Sequence, residues 1–491
     1  MKCKNKIILF ITILLFSIVF TISSITISHG LDSYCTMCNG YKNTAIWFLQ
    51  NGRIFSYLFY LFFNIIKLPY DLLRVISVIL SNIILTTTII LMYNQIKNNC
   101  QIKDKLYKIL LIVTIFLIYY TPLTPSILVL DEAFIINLGI LFLTLSSIFI
   151  LKNSIKNYLI SLLLSILGIS CYQGLSAYLF ISLFILILSK EEYRNNIKFY
   201  IKKTILIISI YGLSFLSNLL IIKIVGAITK KDISKLGALS IIDNIKKIII
   251  EFIPKSFKYF FGYINSKYYY ILLLLTLIIA IVCVARNKDK LNNITLFILL
   301  VLSCSFASFI PNIFMNSSSN YIEARMALAI TIVPVIIIMY IIISFKMEKI
   351  IYYLLSSISI CILITSFKSI YQNMNIDKQR YQTDIEYINN VVKNIKTYEE
   401  NNLTYIDTIY YARDNFVEYY YHFGNPTDTN IRIMAIDWAL DCAISSSLNR
   451  KIEFNKISEE KYNELFKEKN YNDFSKEQLI FDNNILYLLV Y

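Results

Sequence analysis

The chain has 491 residues, of which 57% are hydrophobic and only 16% charged, and its mean hydropathy is +0.60. A soluble domain carries nearer a quarter charged residues, so a soluble globular class is excluded, and the alternating apolar and polar strands of a membrane barrel are absent. The net charge of +15 sits mostly on Lys and Arg in short connections between apolar runs, which is how a membrane protein sets its orientation, and calls for no nucleic acid.

Apolar runs of about 18 residues or more recur, the signature of a polytopic helical membrane protein. The first run, about Ile7–Ile27, follows Lys2, Lys4 and Lys6 and has no Ala-x-Ala site after it. It reads as an uncleaved helix running outward. The polar stretch Gly30 to Ser56 then lies outside. Ile54 to Arg74, IFSYLFYLFFNIIKLPYDLLR, is aromatic-rich and reads as a helix in the outer interface. About Val75–Tyr93 returns inward to Lys97, Lys103, Lys105 and Lys108. About Ile109–Thr121 goes out to Pro122, Pro125 and the acid pair Asp131–Glu132, and Phe134–Leu151 comes back to Lys152 and Lys156. Tyr158 to Ser189 is too long for one span and short for two, so it reads as two short helices meeting at an outer turn, Ser170 to Ser176. After the basic segment Lys190 to Lys203, a helix at about Thr204–Ile228 rises to the segment Thr229 to Lys267, which carries an amphipathic stretch and is kept outside because long loops obey the charge rule weakly. Four more spans fall near Tyr268–Ala285, Ile294–Ile310, Met326–Phe345 and Ile350–Phe367. The expectation is about 11 helices, with the N-terminus cytoplasmic and the C-terminus extracytoplasmic.

From Ser369 onward the chain turns soluble in character. Ile385, Ile388, Val392 and Ile395 mark one face of a helix. Leu403 to Tyr411 and Ile485 to Tyr491 read as buried strands, so residues 369–491 form a small extracytoplasmic α/β domain after a membrane part of residues 1–368.

Gly-rich phosphate loops, His-Glu-x-x-His and Gly-x-Ser-x-Gly are missing, and there are only two histidines, His29 and His422. Cys35 and Cys38 form one Cys-x-x-Cys, but a structural zinc site takes about four ligands and only His29 is near. That pair reads as incidental or as a local disulfide, and no metal or other cofactor is expected. What remains is a set of charges at the outer ends of helices: Asp32, Arg53, Asp131, Glu132 and Arg325. Taken singly, each is a solvated loop charge; Arg53 alone would be a snorkelling anchor, and Gln173 after Tyr172 a helix-end cap. Their convergence on one side suits chemistry on a lipid-linked phosphate. A carboxylate can take the proton from an acceptor hydroxyl, and arginine is the better clamp for a departing phosphate.

Asp32 followed by NGRIFSYLFYLFF, then LDEAFIINLGILFLTLS (Leu130 to Ser146), CYQGLSAYLF (Cys171 to Phe180) and EARMALA (Glu323 to Ala329), resembles in order the glucosyl transferase II family of serotype-converting bacterial and phage enzymes. The resemblance implies a GT-C-like architecture and an inverting, metal-free transfer of a hexose, glucose first, outside the cell. It also implies a polyprenyl-phosphate sugar donor, a cell-surface glycan acceptor and a seat in the lipid bilayer. It puts the base among Asp32, Asp131 and Glu132, and donor contacts at Arg53, Tyr172, Gln173 and Arg325. The family pattern leads one to expect a second acid beside Asp32, where this chain has Ser33; the base is therefore Asp32 or a member of the Asp131–Glu132 pair. Two other classes compete: a polysaccharide polymerase, which usually has a large loop late in the chain, and a lipid-linked glycan flippase or transporter, which should show charges at mid-membrane depth and related halves.

Overall fold

The computed structural model describes residues 2–490 except 27, 103, 195, 230–240, 257–267, 287–289, 314–323, 346–347, 414–430 and 470–475. Helices dominate it. Five of those described, Tyr70–Cys100, Ala133–Ile150, Ile197–Ile228, Ile294–Ile313 and Lys349–Asn402, are long and apolar enough to cross a membrane, and shorter apolar helices accompany them. This is consistent with insertion in a membrane.

Helix α1 spans Lys2–Phe20. The polar stretch after it, expected to be an outer connection, is instead a helix, α2, Leu31–Gln50, broken at Gly40, where φ is +75°. The next stretch is not one interfacial helix. Helix α3, Ile54–Ile66, ends at Lys67 in the left-handed region and at Pro69, and Arg74 belongs to the following helix, α4, Tyr70–Cys100. Helix α5, Lys105–Tyr119, is capped by Asp104, whose side chain accepts from the Tyr107 backbone N–H. Pro125–Leu128 forms a short turn of helix before α6, Ala133–Ile150.

The expected pair of short helices is present as α7, Ile155–Cys171, and α8, Ser176–Leu188, joined by a 3₁₀ turn at Gln173–Leu175. Helix α6 packs closely on α7. A Cβ on Gly168 would come within 2.7 Å of the Leu143 side chain, so this approach requires glycine. Helix α9 spans Ile197–Thr229. Most of the segment expected to follow it outside the cell lies beyond the described residues, apart from a helical piece over Ile241–Phe252. Helices α10, Tyr268–Ala285, and α11, Lys290–Ser305, follow. The span expected from Met326 is broken into Leu328–Thr331 and α12, Val333–Ser344.

The last apolar run continues without interruption into the soluble-looking region. Helix α13, Lys349–Asn402, has 54 residues, a length of about 80 Å, far more than a bilayer needs. The junction at 368–369 falls inside it. Its C-terminal half presents Ile388, Val391 and Ile395 to a four-stranded sheet of order β2-β1-β4-β3. Here β1 is Thr408–Arg413, β2 Glu453–Lys456, β3 Leu479–Asp482 and β4 Ile485–Val490. Strand β1 runs parallel to β2 and β4, and β3 antiparallel to β4. Helix α14, Asp437–Ser447, buries Leu440 and Ile444 in the same core and packs against α2.

A buried charge ladder fastens the long helix to its surroundings. Arg74 of α4 meets Asp377 at 2.6 Å; Arg380 meets Asp377 at 2.9 Å and Asp384 at 3.1 Å; Arg432 bonds Asp384 as well. Arg74 also donates to the Ser28 hydroxyl, and Arg380 to the His29 carbonyl. The segment between α1 and α2 is thereby pinned to both helices.

Candidate active site

The seven residues singled out in the sequence come from five separate segments. The turn Asn51–Gly52–Arg53 closes α2. Gly52 has φ +75°, and a Cβ there would lie 2.5 Å from Ile222 Cδ1 and 2.7 Å from Gln173 Nε2. Only glycine fits. Gln173 Nε2 donates to the carbonyls of Asn51 (3.2 Å) and Gly52 (3.3 Å), and Asn218 Nδ2 to that of Gly52 (3.3 Å). Gln173 thus sets the turn, and the turn aims Arg53.

Arg53 is buried. Its Nη1 donates to Glu132 Oε1 at 3.0 Å. The guanidinium lies 4.8 Å from the centre of the Tyr172 ring, with Phe48 and Trp47 at 5.7 and 6.0 Å. Tyr172 in turn accepts from Arg325 Nε at 3.2 Å. Arg325 sits on the 3₁₀ turn Ala324–Met326, while Glu323 lies outside the described residues. Arg53 and Arg325 therefore share one tyrosine.

The three acids gather beside them. Glu132 is almost completely buried, its Oε2 has no hydrogen-bond partner, and burial pushes its carboxyl up to about 7 even though Arg53 and Arg325 pull it down. Asp32 and Asp131 add to the rise as like charges. Asp131 is also buried and raised by burial, against the opposing hydrogen bond from Ser33 and the nearby charges of His29 and Arg74. Ser33 Oγ accepts from the Gly30 backbone N–H at 3.1 Å, and its hydroxyl, close to Asp131, opposes the rise in that acid's pKa. Where a second acid was expected beside Asp32, a hydroxyl ties α2 to the acid pair. Asp32, in the first turn of α2, is half-buried and lines an open cavity.

Several residues that shape this region were not singled out in the sequence. Arg74, Asp377 and Arg380 position the segment before Asp32. Their spacing gave a signal, since Asp377, Arg380 and Asp384 continue the buried stripe of Ile388, Val391 and Ile395. The Cys35–Cys38 pair is not isolated: Cys442 of α14 lies beside both thiols, and its proximity draws the Cys35 thiol down to about 7. His422 lies outside the described residues.

Acids set against paired arginines at helix ends can deprotonate a hydroxyl and hold an anionic leaving group. No curated protein and no solved structure matches the chain. The family model of glucosyl transferase GtrII matches residues 20–338, well over half of the chain, and Asp32, Arg53, Asp131, Glu132, Tyr172, Gln173 and Arg325 all lie within that span. The chain belongs to the glucosyl transferase GtrII family.

Proposed function

We propose that this chain is a membrane glycosyltransferase that moves a hexose, glucose first, from a polyprenyl-phosphate donor to a cell-surface polysaccharide on the extracytoplasmic face. The reading includes a GT-C-like membrane part of about 11 spans over residues 1–368, an N-terminus inside, and residues 369–491 outside. Its main support is one observation: Glu132, with Asp32 and Asp131 close by, stands against Arg53 and Arg325, which are joined through Tyr172.

In this mechanism Asp32 takes the proton from the acceptor hydroxyl. It lines the cavity beside the acid and arginine cluster, where an acceptor can enter. The acceptor oxygen attacks the anomeric carbon from the side opposite the phosphate, the carbon–oxygen bond to phosphate breaks, and configuration inverts. Arg53 and Arg325 receive the charge that builds on the departing lipid phosphate. Glu132 occupies Arg53 until the donor arrives. A carboxyl that protonates at about 7 releases that guanidinium at little cost.

The test uses membranes containing the full chain, radiolabelled polyprenyl-phosphate glucose, and surface polysaccharide from cells lacking the chain. Label should move to the polysaccharide, and unreacted lipid-linked hexose should accumulate in deleted cells. Transfer that proceeds from a nucleotide sugar in lipid-depleted membranes would overturn the reading.

A further inference from the structure

The break at Gly40 folds the two halves of α2 around a cavity of about 460 Å³, within the usual range for a small-molecule site. Asp32, Thr36 and Asn39 face it from the first half, Asn43 and Trp47 from the second, and Trp438 of α14 closes the opposite side. The chain has only two tryptophans, and both line this one cavity. They are 43% and 45% exposed, so indole surface is accessible at the cavity.

The lining has a definite chemistry. Two indole faces suit the apolar C–H faces of a pyranose ring. Asn39 and Asn43 direct their amide nitrogens to helix carbonyls, Cys35 O at 3.0 Å and Asn39 O at 2.9 Å, which leaves their amide oxygens to accept from sugar hydroxyls. Asp32 is the one charged side chain in the lining. A phosphate or other anion would meet Asp32 and no cation among the described lining residues, whereas a neutral sugar fits the indole faces and amide oxygens. Trp47 also stacks near Arg53, so the cavity opens beside the acid and arginine cluster.

We infer that this cavity is the acceptor subsite, taking one or more neutral hexopyranose units of the acceptor glycan, and that the C-terminal part of the chain supplies one wall of it through Trp438. The inference rests on the proposed function, since it sets the acceptor hydroxyl beside Asp32. It gives the C-terminal part a role in acceptor choice, and Trp438 lies outside the matched span of residues 20–338.

Fluorescence reads this site without activity, because the only tryptophans of the chain are in it. Full-length protein in nanodiscs is titrated with maltotriose, with cellotriose, and with the oligosaccharide released by mild acid from the producing cell's own surface polysaccharide. At least one should shift tryptophan emission saturably. Trp438→Ala should weaken that binding tenfold or more and raise the acceptor KM by a similar factor, with donor KM changed less than threefold. Trp438→Phe should restore most of the affinity. Saturable binding without glucose transfer would keep the subsite and remove the proposed function. Transfer with a wild-type acceptor KM in Trp438→Ala, or with no emission change at any of the three sugars, would remove the subsite and keep the proposed function.

Discussion

Arg53 and Glu132 form a buried ion pair at 3.0 Å between the end of α2 and the start of α6, and the second carboxylate oxygen of Glu132 has no hydrogen-bond partner. Such a pair is costly to half-remove, because the remaining charge is stranded away from water, at about 3–5 kcal/mol. Arg53→Ala is expected to lower stability by less than that, since Glu132 already protonates near 7 and turns neutral instead. Adding Glu132→Gln to Arg53→Ala should therefore recover much of the lost melting temperature without recovering donor binding. Thermal melts and donor KM on the single and double variants check this. A double variant less stable than Arg53→Ala alone would show that Glu132 has a second role in the fold.

The same pair predicts a pH dependence. Burial favours the neutral form of Glu132, so it ionises only as pH rises through about 7. The carboxylate present above that pH competes with the donor phosphate for Arg53. Donor KM is expected to rise between pH 6 and 8 in the wild type and to stay flat in Glu132→Gln. The measurement is donor KM at fixed saturating acceptor, and equal slopes for the two proteins would exclude the competition.

Much of the membrane part was legible because hydropathy and length speak for single segments. The spans Phe134–Leu151 and Tyr268–Ala285 agree with the helices to within a residue. The pair inside Tyr158–Ser189 was read correctly from its length and its polar centre. Helix α2 was not legible, because its cavity face mixes Asp32, Thr36, Asn39 and Asn43 with Trp47 and Phe48, while Tyr34 packs in the core with α14 and Tyr41 and Ala45 pack with α3. Neither a plain apolar run nor a solvated face results. The family motifs brought the site residues onto one list, but the pairing of Arg53 with Glu132 joins residues 79 positions apart, and no local pattern encodes it. The charge ladder was hidden for another reason. Charges on a helix are normally its wet face, and here Asp377, Arg380 and Asp384 are buried because Arg74 and Arg432 neutralise them.

Gly52→Ala tests the turn that aims Arg53. The residue needs φ +75°, and the new methyl would strike Ile222 and the Gln173 amide. Strain and overpacking together are expected to cost about 1–3 kcal/mol. Because Gln173 holds the same turn, Gly52→Ala and Gln173→Ala should both raise donor KM while leaving acceptor KM close to wild type. Steady-state kinetics on the two variants, with thermal melts to separate folding from function, provide the check. A raised acceptor KM in either would mean that the turn serves the acceptor instead.

Asp384 accepts from Arg380, from Arg432 and from the Ile433 backbone N–H, all buried. Asp384→Ala strands the Arg432 guanidinium, leaves Arg380 with Asp377 alone, and is expected to destabilise the protein by about 3–5 kcal/mol. Asp71→Asn is the contrast, because the Asp71 carboxylate is largely exposed although its partner His29 is buried; a single hydrogen bond with one member in water is worth about 1 kcal/mol. Melting curves of the two variants in the same detergent measure the difference. Equal shifts would mean that the ladder contributes no more than this half-exposed pair.

The choice of base is open to a direct comparison. Asp32 is half-buried at the cavity wall, and Asp131 is buried and served by the Ser33 hydroxyl. Removing a positioned base costs about a hundredfold to ten-thousandfold in rate. Asp32→Asn keeps the size and polarity of the side chain and removes its basicity. It should abolish transfer while donor affinity and melting temperature stay near wild type. Asp131→Asn loses an acid that is already held towards its neutral form by burial, so it should cost less than tenfold. Ser33→Ala, which removes the bond to Asp131 and leaves Asp32 in place, should follow Asp131→Asn in size. The measurement is kcat at saturating donor and acceptor for the three variants. If Asp131→Asn were inactive while Asp32→Asn worked normally, the proton would go to the second loop, and Ser33 would be the residue that orients the base.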